Sequence, residues 1–459
     1  MRFMQEYFLS SATLRDIIRR LKTQQEQTIY DLPNFAAIQL NDTHPTLMIP
    51  ELMRILIDEE GINFFEALDI CRRTFSYTCH TLMPEALEKW SVEMFEHVLP
   101  RHLEIIYDIN YFFLEDARKT QPEENIPALS LIEESNPKMV RMANLAVVCS
   151  HTVNGVAAIH SRLMNEIVFN QYYQMYPERF QNKTNGVTFR RWLHHCNPSL
   201  SILITNVLGS EQWALDAELL RRILNSIDDP IFAEQWAGVK LANKQRLANY
   251  IEEKLGITLN PNVQLFDIQV KRIHEYKRQQ MNIMQVIARY LAILDSTPEE
   301  RESIVPRAII FGGKAAPGYY TAKKLIKLIN NVAYVINNDP EVGDLLKVVY
   351  IPNYNVSLAE MIIPASDISE HISTAGLEAS GTSNMKFALN SGLIIGTRDG
   401  ANIEIAEEIG EENIFFFGAL ADQVPVIRSQ PPPLCSELQR VFKLIRSGTF
   451  RNPSDYECI

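Results

Sequence analysis

Four short apolar runs in the second half of the chain, each followed by a polar loop, constrain its fold more than any other feature. Their lengths suit buried β-strands, and helical patterns separate them. Strands that alternate with loops and helices in this way predict an α/β fold with a parallel, doubly wound sheet. Such a sheet binds ligands at the carboxyl ends of its strands. The four runs are 265–270, 308–311, 346–350 and 392–396.

The size and charge of the chain limit what it can be. Its 459 residues exceed what one hydrophobic core usually serves, so at least two domains, or parts of them, are expected. The segment 182–192 is polar and rich in turn residues, and the predicted boundary lies near residue 185. A formal net charge of −12 argues against nucleic-acid binding, and no apolar run approaches the length of a membrane span.

Cysteine and histidine spacing argues against a disulfide framework and a zinc site. The six cysteines form no CxxC pair, and the histidines lack the usual zinc-ligand spacing. We therefore predict reduced thiols, no metal and a cytoplasmic location.

The first half of the chain is predicted to be mostly helical, with two buried strands. Residues 35–40 and 145–149 are the short apolar runs that suit strands. The second run leads directly into a polar segment with His151, which would then lie at the carboxyl end of a strand. A buried, hydrogen-bonded histidine is the plainer interpretation of that residue. The chain opens with a predicted helix whose apolar face carries Leu14, Ile17, Ile18 and Leu21.

A basic run occupies the junction after the strand 265–270. Residues 271–278 read Lys-Arg-Ile-His-Glu-Tyr-Lys-Arg. Positive charge at a helix start opposes the helix dipole, so a bound anion would explain it. A solvated basic face is the alternative.

Two further segments are ambiguous when taken alone. The glycine-rich loop 312–318 fits neither of the usual nucleotide-binding patterns, so a tight turn is the preferred interpretation. Lys386 precedes the apolar run 387–389, where loss of hydration would favour a neutral amine able to form a Schiff base with an aldehyde cofactor. An ordinary helix-start or surface lysine is the alternative.

Together, seven motifs in collinear order resemble the glycogen phosphorylase (α-1,4-glucan phosphorylase) family across practically the whole chain. Asn355 and Ser383 are more typical of its fungal and plant members. The motifs are Asn41-Asp-Thr-His-Pro45, Pro100-Arg-His-Leu-Glu-Ile-Ile-Tyr107, Ser150-His-Thr-Val-Asn-Gly155, Lys183-Thr-Asn-Gly186, Lys271-Arg-Ile-His-Glu-Tyr-Lys-Arg278, Gly312-Gly-Lys-Ala315 and Glu378-Ala-Ser-Gly-Thr-Ser-Asn-Met-Lys386.

The resemblance implies two Rossmann-like domains facing a cleft, the GT-B-type glycosyltransferase architecture. Residues 1–185 would be the C-terminal part of an incomplete N-terminal domain, and 186–459 a C-terminal domain that lacks its last helices. The implied activity is retaining phosphorolysis of glycogen or another α-1,4-glucan by inorganic phosphate, which releases glucose 1-phosphate. The cofactor would be pyridoxal 5'-phosphate as a Schiff base on Lys386, with its phosphate as the acid–base group.

The resemblance also implies roles for individual residues, and no metal. Lys271 and Thr382 would contact the cofactor phosphate, and Arg272 and Lys277 the substrate phosphate. The implied catalytic residues are Lys271, Arg272, Lys277 and His151. The implied cofactor-binding residues are Lys386, Thr382, Ser383, Lys271, Trp192 and Tyr354. The implied substrate-binding residues are Glu378, Ser380, Gly381, Asn185, His151 and Tyr276.

Two alternatives to a glucan phosphorylase stay open from the sequence. One is a sugar-nucleotide glycosyltransferase, which shares the architecture but needs no aldehyde cofactor. The other is a non-catalytic fragment that binds glucan or dimerises, because the sequence lacks segments that complete the family's active site. We expect this chain alone to be poorly active and the full-length protein to be a homodimer, without nucleic-acid or membrane partners.

Overall fold

The computed structural model describes residues 1–24 and 27–459, which form two compact units, Met1–Thr184 and Asn185–Ile459. Within those described residues, no helix is both long enough and apolar enough to cross a membrane. The six cysteines are free; four are buried, and Cys435 and Cys458 are exposed.

The first unit combines a parallel sheet and an antiparallel sheet with many helices. Its strands are β1 (Ile38–Asn41), β2 (Phe75–Thr78), β3 (Lys89–Ser91), β4 (Ile132–Glu133), β5 (Met139–Arg141), β6 (Val153–Gly155) and β7 (Phe180–Asn182). Its helices are α1 (Arg2–Gln24), α2 (Leu32–Phe35), α3 (Met48–Arg54), α4 (Phe64–Thr74), α5 (Val92–Val98), α6 (Pro100–Ala117), α7 (Ile126–Leu129), α8 (Met142–Val148), α9 (Ala158–Leu163) and α10 (Asn170–Met175). The parallel sheet has the order β1-β2-β6-β7, and the antiparallel sheet has the order β3-β5-β4.

The opening helix buries the face that the sequence predicts. Leu14, Ile18 and Leu21 of α1 are buried in the core of the first unit, and Ile17 packs against that core while partly exposed. The first predicted strand is partly confirmed, because β1 begins only at Ile38.

The strand predicted at 145–149 is wrong, because these residues belong to helix α8. A short, continuous apolar run is compatible with a buried helix as well as with a buried strand, and periodicity alone cannot separate the two. The true strand, β6, begins later, at Val153. His151 therefore precedes a strand instead of following one.

The second unit is built on one six-stranded parallel sheet. Its strands are β8 (Leu265–Val270), β9 (Arg307–Gly312), β10 (Leu346–Ile351), β11 (Ile368–His371), β12 (Leu393–Gly396) and β13 (Phe415–Phe416). Its helices are α11 (Pro198–Leu208), α12 (Pro230–Leu255), α13 (Gln279–Asp295), α14 (Pro298–Arg301), α15 (Tyr320–Asn337), α16 (Val356–Ile362), α17 (Ser383–Leu389), α18 (Ala401–Ile409), α19 (Val424–Ser429) and α20 (Ser436–Arg446). The sheet order is β10-β9-β8-β11-β12-β13, and all pairs are parallel.

This sheet confirms the predicted α/β fold with a doubly wound sheet. Counted from β8 as the first strand, its order is 3-2-1-4-5-6, the order of dinucleotide-binding folds. Alternate residues of β9 enter different apolar clusters, Ile309 and Phe311 on one face and Ala308 and Ile310 on the other. Burial on both faces explains why these strands are continuous apolar runs in the sequence.

Candidate active site

Strands β8 and β11 lie side by side where the order of the second unit's sheet reverses. Open parallel sheets bind ligands outside the carboxyl ends of the strands at such a point. Lys271 directly follows β8 and His371 ends β11, and Lys271 Nζ lies 3.4 Å from His371 Nδ1. Both residues line a cavity of about 280 Å³.

The cavity gathers most of the predicted site residues that belong to the second unit. Those on its wall are Lys271, Lys277, Tyr354, Glu378, Ser380, Gly381, Thr382 and Ser383. The sequence reasoning missed several others, which are Val270, His371, Ser373, Asn384, Thr397, Asp399 and Asn402. Since many of these follow strands β11 and β12, the sheet topology could have indicated them had β11 been recognised.

A largely buried ion pair joins the basic run to the Glu378 segment. Lys277 Nζ lies 2.7 Å from Glu378 Oε2, which also accepts a 2.9 Å hydrogen bond from the Ser373 hydroxyl. The Tyr276 hydroxyl donates to the other oxygen at 3.4 Å. Burial opposes ionisation of Glu378, but Lys277 and Lys271 outweigh it and lower the pKa of the carboxyl. Burial likewise opposes the charge of Lys277, and Glu378 outweighs it and raises that pKa.

Among the described residues Lys271 forms no ion pair with a carboxylate, and its side chain is held by a neutral imidazole. Burial, and then the nearby Lys277, lower the pKa of Lys271 to about 8. His371 Nε2 lies 3.0 Å from the Ser369 hydroxyl, which donates to the Leu393 carbonyl at 3.1 Å. Since that hydroxyl proton is committed, the His371 Nε2–H must donate and Nδ1 is left to accept from the lysine. Burial and the two lysines hold the pKa of His371 well below its ordinary value, which agrees with a neutral ring.

The loop that carries Glu378 and Ser380 is fixed by backbone contacts. The Glu378 N–H donates to Asp399 Oδ2 at 2.8 Å, and burial raises the pKa of Asp399 to about 7 although backbone N–H groups oppose this. Gly381 has a φ of +73°. Gly400 has a φ of +51°, and a Cβ there would lie 2.5 Å from the Ser380 carbonyl oxygen. Both positions therefore favour glycine.

The glycine-rich loop after β9 permits a close approach between two segments of backbone. A Cβ on Gly313 would lie 2.1 Å from the Lys271 carbonyl oxygen. The absence of a side chain lets the chain leaving β9 pass directly beside the chain leaving β8. Gly313 thus helps to place Lys271 at the cavity.

Lys386 lies on α17 beside an aromatic ring. Its Nζ is 4.0 Å from the centroid of the Trp192 ring, and burial lowers its pKa. Trp192 is buried in a π-helical turn, Arg190–His195, where the sequence predicted a loop outside the core. The Asn390 side chain, just beyond α17, donates to the Trp192 carbonyl oxygen and joins the two segments.

Comparison with known proteins identifies the family. The family model described as carbohydrate phosphorylase matches residues 1–459. The chain belongs to the carbohydrate phosphorylase family. This confirms the resemblance that the seven motifs predict.

Several curated phosphorylases are similar to this chain. It is 56% identical to "Glycogen phosphorylase 2" of Dictyostelium discoideum, over 98% of this chain and 43% of the relative. It is 50% identical to "Alpha-glucan phosphorylase 2, cytosolic" of Arabidopsis thaliana, over 98% of this chain and 55% of the relative. It is 51% identical to "Glycogen phosphorylase" of Saccharomyces cerevisiae, over all of this chain and 53% of the relative. The chain thus spans about half the length of the curated relatives it matches.

Members of the carbohydrate phosphorylase family use pyridoxal 5'-phosphate, and the residues of this chain fit that cofactor. Lys386 offers an amine whose pKa burial has lowered, against an aromatic face. Lys271 offers a buried ammonium beside a neutral imidazole at 3.4 Å, which suits a phosphate. The pKa of Tyr354 on the same cavity wall is raised to about 12 by burial, so its ring stays uncharged.

Six predicted site residues lie outside the wall of this cavity. Tyr276 hydrogen-bonds to Glu378 on the wall, and Lys386 contacts the Trp192 ring; the other three are Arg272, Asn185 and His151. Arg272 is exposed and makes no ion pair within the described ranges, and Asn185 is half-buried at the start of the second unit. His151 is exposed, and its backbone N–H donates to the Phe75 carbonyl at the amino end of β2. That is the edge of the first unit's parallel sheet opposite to the usual ligand-binding edge. The role of His151 therefore stays a prediction from the resemblance and loses its positional argument.

The carboxyl edge of the first unit's sheet carries a different histidine, which the sequence reasoning did not select. His80 follows β2, and its Nε2 contacts Asn41 Oδ1 at the end of β1. Burial lowers the pKa of His80. Its position two residues after the buried strand β2 is the signal that could have identified it.

Proposed function

We propose that this chain supplies the cofactor- and phosphate-binding part of an enzyme that cleaves α-1,4-glucan, such as glycogen, with inorganic phosphate. The observation that carries the proposal is the convergence of Lys271, Lys277, Glu378 and Thr382 on one cavity at the switch point of the second unit's sheet. In the reaction an oxygen of inorganic phosphate forms a bond to C1 of the terminal glucose. The bond from C1 to the glycosidic oxygen breaks, and the leaving 4-hydroxyl receives a proton. The products are glucose 1-phosphate, with retained configuration, and a shortened glucan.

In this proposal Lys386 holds pyridoxal 5'-phosphate by its aldehyde. Thr382, Ser383 and Lys271 hold the cofactor phosphate. Trp192 and Tyr354 form the apolar surroundings of its ring. When bound, the cofactor supplies a phosphate group that exchanges protons with the substrate phosphate.

The two lysines of the cavity supply the positive charge that two phosphate groups need. Two neighbouring anions repel each other, so cations are needed to bind both and to set their protonation. Lys271 serves the cofactor phosphate, whereas Lys277 and the exposed Arg272 serve the substrate phosphate. Glu378 keeps Lys277 charged across 2.7 Å and still presents a carboxylate for hydrogen bonds to glucose.

Glu378 acts as a binding group and not as a general acid. Its lowered pKa keeps it ionised, whereas a glycosidase acid needs a raised one. We assign Glu378, Ser380, Gly381 and Tyr276 to the sugar hydroxyls. Asn185 and His151 are also proposed to bind the sugar, on the resemblance alone.

We also propose an arrangement for the longer protein. The unit Met1–Thr184 corresponds to the C-terminal part of the N-terminal domain, and Asn185–Ile459 to the C-terminal, cofactor-binding domain. The full-length protein is a homodimer in the cytosol; the similar Arabidopsis phosphorylase is named as a cytosolic one.

The proposal is tested by trapping the cofactor on its lysine. The chain is incubated with pyridoxal 5'-phosphate, reduced with borohydride and digested, and the peptides are mapped by mass spectrometry. We expect a pyridoxyl group on Lys386 that is lost in Lys386→Ala but retained in Lys443→Ala, a change on the distant helix α20. Labelling spread over many lysines, or unchanged by Lys386→Ala, would refute the cofactor assignment.

A second assay tests the reaction itself. Glucose 1-phosphate released from glycogen and inorganic phosphate is measured with the full-length protein carrying these residues. Lys386→Ala and Lys271→Met should abolish release. Release by a protein without cofactor would overturn the proposed function.

A further inference from the structure

The first unit brings together two glutamates and a histidine that the proposed reaction does not use. Glu6 lies on α1, His44 lies in the turn after β1, and Glu88 directly precedes β3. One ligand atom from each lies within 4.8 Å of the other two. His44 belongs to one of the seven family motifs, and the proposed function gives it no role.

The distances within this cluster are unusual for hydrogen bonds. His44 Nδ1 lies 3.5 Å from Glu6 Oε1 and 3.5 Å from Glu88 Oε1. Hydrogen bonds from a ring nitrogen to oxygen are shorter, between about 2.7 and 3.2 Å. In contrast, metal–ligand distances of about 2.0–2.1 Å in a tetrahedral site place neighbouring ligand atoms about 3.3–3.4 Å apart. The separation of His44 Nδ1 from each of the two carboxylate oxygens is thus close to that of neighbouring ligand atoms in a coordination tetrahedron.

The carboxylates of Glu6 and Glu88 lack enough hydrogen-bond donors for their burial. Glu6 is 7% exposed, and within the described residues Oε2 of Glu6 and Oε2 of Glu88 accept no hydrogen bond. Such a pair needs either a shared proton or a cation to offset the repulsion.

We propose that Glu6, His44 and Glu88 bind a divalent cation with the coordination preference of zinc. One imidazole nitrogen and two carboxylate oxygens are a usual zinc donor set, whereas magnesium and calcium prefer oxygen alone. Glu6 and His44 line a cavity of about 510 Å³, from which water can complete the coordination. Binding displaces the proton that the two carboxylates would otherwise share.

Arg2 competes with a cation for this site. Its Nε donates to Glu6 Oε1 at 2.9 Å, and its side chain is 60% exposed, so it can turn away into solvent. Removing its charge should therefore strengthen metal binding. A purely structural cluster would instead be weakened by the loss of an ion pair.

The test measures binding of Zn²⁺ by equilibrium dialysis and of Co²⁺ by its visible absorption. The chain is purified with chelator, in phosphate-free buffer and without pyridoxal 5'-phosphate. All variants carry Cys435→Ser and Cys458→Ser, because exposed thiols would bind these ions. We expect one ion per chain, with the intense Co²⁺ bands of a four-coordinate site.

The variants decide between a cation and a shared proton. Glu6→Gln, Glu88→Gln and His44→Asn should each weaken binding by at least the roughly 10–100-fold that loss of an outer-shell partner costs. Arg2→Gln should tighten binding, and His97→Asn, at an exposed histidine elsewhere in the unit, should not change it. Absence of binding to the parent and to Arg2→Gln would overturn the proposal in favour of a shared proton. Binding that survives the three ligand changes would overturn it as well. Since no step uses the cofactor, these outcomes are independent of trapping at Lys386.

Discussion

The ion pair between Lys277 and Glu378 permits a sharp test of how the cavity is held together. The perturbation is Glu378→Gln, which keeps the shape of the side chain and removes its charge. The Lys277 ammonium would then lose its carboxylate at 2.7 Å and remain beside Lys271, a second cation. The hydrogen bonds from Ser373 and Tyr276 would lose their charged acceptor.

The size of the effect follows from the burial of the pair. Removing one partner of a fully buried ion pair costs about 3–5 kcal/mol. The side chains of Lys277 and Glu378 are 16% and 20% exposed, so we expect the lower end, about 3 kcal/mol, for Glu378→Gln. Lys277→Met should cost about 2 kcal/mol, because Glu378 keeps its two neutral donors. The double variant should cost clearly less than the two single changes together, with a coupling of about 2 kcal/mol.

The assay is urea unfolding of the cofactor-free chain, followed by tryptophan fluorescence. Trp192, Trp213 and Trp236 lie in the second unit, so most of the signal reports on that unit. The exposed pair Arg398–Glu411 supplies a control cycle, in which we expect coupling within experimental error. Additive costs at Lys277 and Glu378 would refute the view that the two charges depend on each other.

Three further predictions concern Lys271 and its surroundings. The pKa of Lys271 is about 8 when folded and ordinarily near 10.4 when unfolded, so the folded state binds fewer protons between these values. Stability should therefore rise from about pH 8 towards 10, and the rise should be smaller in Lys271→Met, as urea midpoints will show. Gly313→Ala should cost about 1–3 kcal/mol through overpacking against the Lys271 carbonyl, whereas Gly318→Ala, which meets no atom within 4 Å, should cost much less. His371→Ala should weaken binding of inorganic phosphate about tenfold, because one hydrogen bond that orients Lys271 is lost. Ser369→Ala should weaken it in the same way but less. Equal phosphate affinities of the parent and the His371→Ala variant in calorimetry would contradict this.

The second unit follows closely from its sequence because burial on both faces of the sheet leaves a plain signal. All four predicted strands exist, and their ends differ from the prediction by one residue at most. Strand β11 was not predicted, because its sequence, Ile-Ser-Glu-His, contains only one apolar residue. Its polar side chains are nevertheless buried, Ser369 fully and His371 to all but 6%. They are tolerated there because they serve the site: Ser369 hydrogen-bonds to His371, and His371 hydrogen-bonds to Lys271.

The first unit was harder to predict, and one error changed a functional expectation. Residues 145–149 form part of a helix, since a buried helix segment can be as uniformly apolar as a buried strand. That single misassignment moved His151 from the amino edge to the carboxyl edge of the sheet in the prediction. The same reasoning, with the correct strands, points to His80 and Asn41. A residue can therefore be assigned to one edge of a sheet only when the neighbouring strand has been assigned correctly.

Partners across the site could not be obtained from sequence patterns at all. Periodicity places Lys277 after a strand but predicts no strand before Glu378, because β11 was missed; only the family resemblance assigns the two residues to one site. The sequence does not indicate that they form an ion pair, because it suggests a phosphate-binding lysine and a sugar-binding glutamate as two independent groups. Their 2.7 Å contact makes them dependent: the carboxylate keeps the lysine charged, and the lysine keeps the carboxylate ionised. Any ligand that donates hydrogen bonds to Glu378 or accepts them from Lys277 must therefore change the charge balance of the other residue, which couples the sugar and phosphate ends of the proposed site.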